Sequence, residues 1–79
     1  MMLNEIELGK YQHYKTGKLY QVLSIARHSE TLEDMVVYQA LYHSEKFGRN
    51  QIWVRPKKMF LEYVVHEGHY IPRFNLIKE

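Results

Sequence analysis

The sequence predicts an all-β domain of five to six short antiparallel strands with one short helical turn. Three observations support this class. The chain of 79 residues has no cysteine and is long enough for one small core only. Its apolar segments are short and rich in β-branched and aromatic side chains. Its four glycines, at positions 9, 17, 48 and 68, fall between these segments.

The first two strands are predicted as a hairpin. In residues 10–15, Tyr11, His13 and Lys15 alternate with Gln12 and Tyr14, as in a strand. Thr16 and Gly17 then supply a short turn into residues 19–25. The second strand ends near Arg27, because the short polar side chains of residues 28–31 favour a turn. The chain is therefore expected to reverse there.

Residues 31–48 are compatible with two structures. Thr31 and Asp34 resemble a helix N-terminus, with apolar residues at helical spacing after them and Gly48 as a terminating cap. Against a helix, residues 35–38 are rich in β-branched and aromatic side chains, and a strand continuing through Leu41 and Tyr42 would pair with the preceding one. The sequence favours the strand.

The last third of the chain predicts a strand, a helical turn and a second hairpin. Residues 51–55 form a short strand that Pro56 ends, and Pro56 opens a helical turn over residues 56–60. Residues 62–66 and 70–74 flank Glu67 and Gly68, a two-residue hairpin signal. Pro72 places the last segment at a sheet edge. By analogy of element order and length, the expected architecture is a small SH3-like barrel.

Composition limits the function classes. Eleven Lys and Arg against nine Asp and Glu give a net charge of +2, too balanced to require a nucleic-acid or membrane partner. No apolar run is long enough to cross a bilayer. We therefore expect a cytoplasmic protein in which residues 1–8 form a leader and residues 9–79 a single small β-barrel domain.

An aromatic face is the first candidate site. If the aliphatic residues of the strands point inward, the period of two places several rings and an arginine on the opposite face. The residues expected inside are Leu23, Ile25, Val37, Leu41, Ile52 and Val54, and those expected outside are Tyr20, Tyr38, Tyr42, Trp53 and Arg55. Such a face suits peptides, modified lysines or single-stranded nucleic acid. The alternative is that these rings form the core.

An anion site is the second candidate. Arg27, His28, Ser29 and Glu30 are consecutive, and Arg55 and Arg73 could lie near them across the sheet. The alternative is a turn in which short side chains hydrogen-bond to the local backbone. His66 and His69 fall short of a zinc site without thiolates or a suitably spaced carboxylate. We therefore expect no catalytic residue, no metal and no cofactor.

Four segments together resemble a known family. They are GKYQHYKTGKLYQVL, ARHSETLEDMVVYQALY, IWVRPKKMFLE and IPRF, which span about residues 9–74. The chain is similar to small bacterial proteins that are catalogued as a domain of unknown function. That resemblance implies a small barrel and assigns no activity. The chain departs from the family pattern in its longer charged loop, residues 44–50, and in residues 1–8.

The leading hypothesis is a non-catalytic module that binds a protein or peptide. The expected contacts are Tyr20, Tyr38, Trp53 and Arg55, with Arg27, His28 and Arg73 at the rim. The alternatives are single-stranded nucleic-acid binding, a homodimer formed through the Pro72 edge or the tyrosine face, and an enzyme acting on a small anionic ligand at residues 27–30.

Overall fold

Short strands joined by tight turns make up most of the fold. The computed structural model describes residues 6–78, and within them nine strands and one helix follow in the order β1 Gly9–His13, β2 Leu19–Arg27, β3 Asp34–Ala40, β4 His43–Ser44, β5 Gly48–Arg49, β6 Ile52–Pro56, α1 Lys57–Phe60, β7 Tyr63–His66, β8 His69–Pro72 and β9 Phe74–Leu76. The predicted all-β class is confirmed. Over the same residues, no helix has the length and hydropathy of a membrane span.

Five strands form one antiparallel sheet in the order β6-β3-β2-β1-β9. The strands β6 and β9 lie at its two edges and do not pair with each other in the part of the chain that the structure describes. The sheet is therefore open, and the hydrogen-bonded closure of the predicted SH3-like barrel is not observed. Two further antiparallel pairs, β4-β5 and β7-β8, stand outside this sheet.

Residues 34–40 are a strand, as the sequence favoured. Strand β3 pairs with β2 from Tyr20↔Ala40 to Arg27↔Asp34, and with β6 on its other side. It ends at Ala40 rather than continuing through Leu41 and Tyr42. The chain leaves the sheet there and forms the two-residue ladder β4-β5, which the sequence had indicated only as a polar loop.

The remaining predicted elements are present. Pro56 ends β6 and directly precedes α1, whose Phe60 is buried. The β7-β8 hairpin turns at Glu67 and Gly68, which both have positive φ angles, 53° and 81°. Two consecutive positive φ angles are typical of a type I′ turn, which matches the twist of the strands. The segment predicted over residues 70–74 is divided, because β8 pairs with β7 whereas β9 pairs with β1.

Aromatic rings dominate the core. Tyr11, Tyr38, Phe60 and Phe74 are all buried, together with the small aliphatic Val22 and others. The rings of Phe60 and Phe74 are stacked with centroids 4.3 Å apart and planes 2° apart. In a domain of this size a few large rings supply much of the buried apolar area, since each buries about 150–250 Å².

The predicted assignment of sheet faces is wrong. Strand β3 alternates as expected, but Val36, Tyr38 and Ala40 are its buried residues and Val37 lies on the other face. The residues expected inside are largely exposed, with exposed fractions of 39% for Leu23, 42% for Ile25, 39% for Leu41, 49% for Ile52 and 60% for Val54. Tyr38, expected outside, is 5% exposed. The aromatic face is the core face.

A β-bulge also interrupts the alternation of side chains along β2. The register between β2 and β3 shifts between Val22 and Ser24, so that Ser24 pairs with Val37 and Ile25 with Val36. An extra residue reverses which side chains of the strand point inward beyond that position. Strict alternation along the whole of β2 therefore assigns side chains to the wrong face on one side of the bulge.

The N-terminal segment contributes to the core. Ile6, within the predicted leader, is buried at 8% exposure and belongs to the core cluster. The Tyr11 hydroxyl donates a hydrogen bond to the Glu7 carbonyl at 2.8 Å. The remainder of the predicted leader, residues 1–5, lies outside the described residues.

Candidate binding pocket

A cavity of about 200 Å³ opens on the core face of the sheet. Its lining residues, which we call the tyrosine pocket, are Tyr20, Tyr38, Tyr42, Trp53 and Arg55. Three adjacent strands bring four of them together, since Tyr38 pairs with Trp53 across β3 and β6, and Tyr20 pairs with Ala40 across β2 and β3. The fifth, Tyr42, lies just after the end of β3. Residues directly opposite each other in an antiparallel pair point to the same face. The rings and the guanidinium therefore converge.

Hydrogen bonds fix the polar groups of the tyrosine pocket. The hydroxyls of Tyr20 and Tyr42 are 2.7 Å apart and share one hydrogen bond. Arg55 Nε donates to the Tyr38 hydroxyl at 3.2 Å. The Arg55 guanidinium carbon also lies 5.6 Å from the centre of the Phe74 ring. Arg55 is thus held in place by a hydroxyl and by a core ring.

The pocket wall is continuous with the aromatic core. The Tyr20 ring makes edge contacts with the rings of Tyr38 at 5.4 Å, Tyr42 at 5.5 Å and Phe74 at 5.7 Å. Tyr38 also contacts Phe60 and Phe74 in the same manner. Edge-to-face pairs at these distances are favourable and restrict ring orientation. The pocket is consequently built on rigid structure.

The rim of the pocket contains residues that the sequence did not indicate. Phe47, in the loop between β4 and β5, lies edge-on to Trp53 with centroids 5.1 Å apart. Lys46 lies over Phe47, and Lys18 Nζ lies 4.5 Å from the centre of the Tyr42 ring. Phe47 could have been suspected from the sequence, because it is a single aromatic residue in an otherwise polar loop. Lys18 had none, because its contact depends on where the chain runs after β3.

Burial shifts the pKa of two titratable side chains at or near the pocket, Tyr20 and His13. Burial raises the pKa of the Tyr20 hydroxyl, and the hydrogen bond with Tyr42 raises it further. Tyr20 is therefore uncharged at neutral pH. The pKa of His13 is lowered from its ordinary value by burial first, and then by the positive charges of Arg55, Arg73 and Lys15.

The predicted cluster at residues 27–30 is a turn at the other end of β2. His28 Nδ1 accepts hydrogen bonds from the backbone N–H of Glu30 at 3.1 Å and of Thr31 at 3.3 Å. Arg27 pairs with Asp34 at 3.8 Å, and Ser29 and Glu30 are exposed. Seven positions of extended strand separate Arg27 from Tyr20, or roughly 23 Å. Arg55 lies closer, because it pairs with Val36, which pairs with Ile25, but none of residues 27–30 lines the tyrosine pocket.

Arg73 also lies outside the tyrosine pocket. It donates a hydrogen bond to Glu62 Oε1 at 2.8 Å. Its buried Nε has no hydrogen-bond partner in the described part of the chain. Of the residues predicted for a site, Tyr20, Tyr38, Trp53 and Arg55 line the tyrosine pocket together, and Arg27, His28, Ser29, Glu30 and Arg73 do not.

Two larger cavities are less suited to binding. One of about 570 Å³ is lined by Glu33, Asp34, Lys57, Lys58 and Leu61, and its Asp34 is paired with Lys57 at 3.9 Å and with Arg27. The other, of about 490 Å³, lies beside His13 and Pro72. The smaller tyrosine pocket combines fixed rings with Arg55, which has no acidic partner within residues 6–78. Cavity volume alone therefore does not identify which of the three cavities is the candidate binding site.

No group of three histidine, aspartate or glutamate side chains within residues 6–78 is placed to hold a metal ion. His66 and His69 face each other across the β7-β8 hairpin. Their neighbour Glu67 approaches His66 at 3.8 Å. Two imidazoles and one exposed carboxylate of this kind form an ordinary turn contact.

The chain is similar to a family described as of unknown function and to a solved structure from that family. The model of the DUF1653 family, described as a protein of unknown function, matches residues 9–76. A crystal structure of a DUF1653 protein from Bordetella bronchiseptica is 32% identical, with a TM-score of 0.81. The alignment covers 96% of this chain and 92% of that chain. None of the curated proteins matches this chain.

Proposed function

The chain belongs to the DUF1653 family of proteins of unknown function, and from that premise we propose that it is a non-catalytic binding module. The module holds an extended segment of a peptide or protein partner beside the tyrosine pocket. Trp53 and Tyr38 supply ring contacts, and Arg55 supplies polar contacts. An architecture related to the SH3-like barrel, but open between β6 and β9, is part of the same proposal.

One observation supports the proposal above all others: the tyrosine pocket lies next to an unpaired sheet edge. Strand β6 carries both Trp53 and Arg55, and its backbone pairs with β3 alone within residues 6–78. The side-chain amide of Gln51 donates to the Ile52 carbonyl at 3.0 Å, at the start of this strand. Unpaired N–H and C=O groups at a sheet edge are a template for an added strand.

The geometry of an added strand connects the edge to the pocket. A segment paired with β6 would lie about 4.8 Å from it. A residue directly opposite Trp53 or Arg55 would place its side chain on the same face, with Cβ atoms about 5 Å apart. Alternate side chains of the partner therefore reach the tyrosine pocket. The backbone supplies general affinity and the pocket supplies selectivity.

Chemical-shift mapping with pools of unstructured peptides tests the proposal. We expect the indole N–H of Trp53 and the amides of β6 to shift, together with those around Tyr38. The turn at residues 28–31 should remain unchanged. A set of pools that perturbs no resonance near Trp53 or Tyr38 would refute the proposal.

A matched pair of ring deletions sharpens this test. Trp53→Ala removes a ring that lines the pocket, whereas Tyr70→Ala removes one that is 78% exposed on the separate β7-β8 hairpin. We expect Trp53→Ala to weaken peptide binding at least tenfold and Tyr70→Ala to leave it unchanged. The dispersion of the amide spectrum shows whether each variant is folded. Equal losses in the two folded variants would count against the pocket.

Single-stranded nucleic acid is a second candidate, favoured by the lysines that lie over Tyr42 and Phe47. Bases could stack on such rings while the lysines approach the phosphates. Titration of a single-stranded oligonucleotide at two salt concentrations separates the candidates. Binding to nucleic acid weakens steeply with salt, whereas binding in an aromatic groove responds little.

A further inference from the structure

The tyrosine pocket is rich in hydrogen-bond donors. Arg55 uses Nε on the Tyr38 hydroxyl, and its two terminal nitrogens have no hydrogen-bond partner in the described part of the chain. The indole N–H of Trp53 likewise has no partner within residues 6–78. A guanidinium carries only donors, and so does an indole. A ligand that accepts hydrogen bonds would satisfy both.

The hydroxyls add further donors. The Tyr38 oxygen accepts from Arg55, which leaves its own proton available to a ligand. In the Tyr20 and Tyr42 pair one hydroxyl donates to the other, so one proton of the pair also remains available. Burial and the hydrogen bond with Tyr42 raise the pKa of Tyr20, so the Tyr20 hydroxyl keeps its proton.

The charge of the pocket is that of one guanidinium. Arg55 is the charged residue among the lining side chains, and no carboxylate lies among them. The neighbouring Lys18 and Lys46 at the rim add positive charge. Although the rings resemble the aromatic cages that bind methylated lysine, a cation there would meet the guanidinium. The potential therefore favours an anion.

The volume limits the anion to the size of one side chain. A cavity of about 200 Å³ has room for ~7 water molecules at roughly 30 Å³ each. One guanidinium matches the single charge of a carboxylate and can hold its two oxygens through paired N–H groups. A phosphate, at about −1.5 to −2 near neutral pH, exceeds the charge of the single guanidinium that lines the pocket.

We propose that the tyrosine pocket recognises a carboxylate of the bound segment, with the two terminal nitrogens of Arg55 as its principal donors. This inference rests on the proposed peptide-binding function and names the group that the peptide must carry. The carboxylate can come from an aspartate or glutamate side chain or from the end of a chain. Both sources present the same two oxygens.

Fluorescence of Trp53 is the readout, because it is the single tryptophan of the chain and lines the pocket. The probes are capped seven-residue peptide pools whose centre is Glu, Gln, trimethyllysine or phosphoserine and whose other positions are randomised among residues other than Asp, Glu and Trp. A fifth pool has Gln at the centre and a free terminal carboxylate. We expect the Glu pool to bind at least tenfold more tightly than the capped Gln pool, as is typical of hydrogen bonds to a charged group.

Three arginine variants test whether Arg55 causes the preference for Glu over Gln. Arg55→Gln should abolish the preference for Glu over Gln, and Arg27→Gln, which changes a guanidinium that pairs with Asp34 and does not line the pocket, should retain it. Arg55→Lys keeps the charge without the paired N–H geometry and should give an intermediate preference. The comparison of Glu and Gln pools on the unaltered protein needs no variant and stands if Arg55→Gln fails to fold.

The outcomes separate this inference from the proposed function. Tight binding by the free-terminus pool supports carboxylate recognition and identifies the chain end as a source. Equal responses to the Glu and capped Gln pools, or a preference for trimethyllysine or phosphoserine, would overturn carboxylate recognition while peptide binding stood. Failure of every pool to alter Trp53 fluorescence would overturn both.

Discussion

His13 lies close to three positive charges, and its pKa is lowered in the folded protein. Its ring makes an edge contact with Phe74 at 5.1 Å, and its Nδ1 accepts a hydrogen bond from the Lys15 backbone N–H at 3.1 Å. Burial lowers its pKa below the ordinary 6.5, and Arg55, Arg73 and Lys15 lower it further. Protonation of this ring therefore works against the folded state.

The lowered pKa of His13 predicts how stability depends on pH. The unfolded chain binds a proton near pH 6.5 and the folded chain only at lower pH, so the free energy of unfolding falls as pH drops below about 6.5. We expect His13→Gln to flatten this dependence between pH 7 and 5 in urea denaturation. NMR titration of the His13 ring gives an independent value. An unchanged slope in the variant would contradict the prediction.

Leu32 is strained in its backbone. Its φ angle is +64°, a left-handed conformation, and its side chain is 63% exposed. A branched residue in this conformation costs roughly 1–2 kcal/mol, whereas asparagine adopts it more readily. The side chain makes no compensating contribution to the core cluster.

Replacement of Leu32 by asparagine should therefore stabilise the protein. We expect Leu32→Asn to raise the free energy of unfolding by up to about 1 kcal/mol. Leu61→Asn is the control, because Leu61 is also partly exposed but has an ordinary φ of −87°. Urea denaturation measures both. A loss of stability in Leu32→Asn would show that no strain is relieved.

At the scale of elements, α1 acts through one side chain. Phe60 is 1% exposed and contacts the rings of Tyr11, Tyr38 and Phe74, whereas its neighbour Met59 is 47% exposed. Removing a buried ring leaves a cavity in addition to the lost burial, and typically costs about 3–5 kcal/mol. For a domain of this size that is a large share of the total.

We therefore expect Phe60→Ala to unfold much of the protein at room temperature. Met59→Ala, one position earlier in the same helix, should change the free energy of unfolding by less than about 1 kcal/mol. Circular dichroism with urea denaturation compares them. Similar losses in the two variants would mean that α1 does not anchor the core through Phe60.

The boundaries of the strands and turns were largely predictable from the sequence, but the sheet face on which each side chain lies was not. Glycines, prolines and polar clusters mark the turns, so the hairpins, the strand at β3 and the turn at Pro56 followed from local chemistry. Residues 35–38 are all apolar, so the period of two is compatible with either face inward. The bulge after Val22 then reverses the pattern within β2. Nothing in the local sequence marks this bulge.

At the scale of the molecule, the core and the tyrosine pocket are one system of rings. The period of two correctly grouped Tyr20, Tyr38, Trp53 and Arg55 on one face, although that face is the core face. The relative positions of residues on different strands depend on long-range strand pairing. The distance between Arg27 and Arg55 could therefore not be predicted from the sequence. Contacts made by Phe47 and Lys18 likewise depend on the path of the chain after β3.

The proposed function depends on one spatial relation, the unpaired β6 edge beside the tyrosine pocket. Amide hydrogen exchange, measured with and without a saturating peptide selected from the Glu-centred pool, tests it most directly. We predict slower exchange at the β6 amides that point away from β3, because an added strand protects them. The β7-β8 hairpin and the turn at residues 28–31 should be unchanged. Protection confined to those regions, with β6 unaltered, would contradict the account.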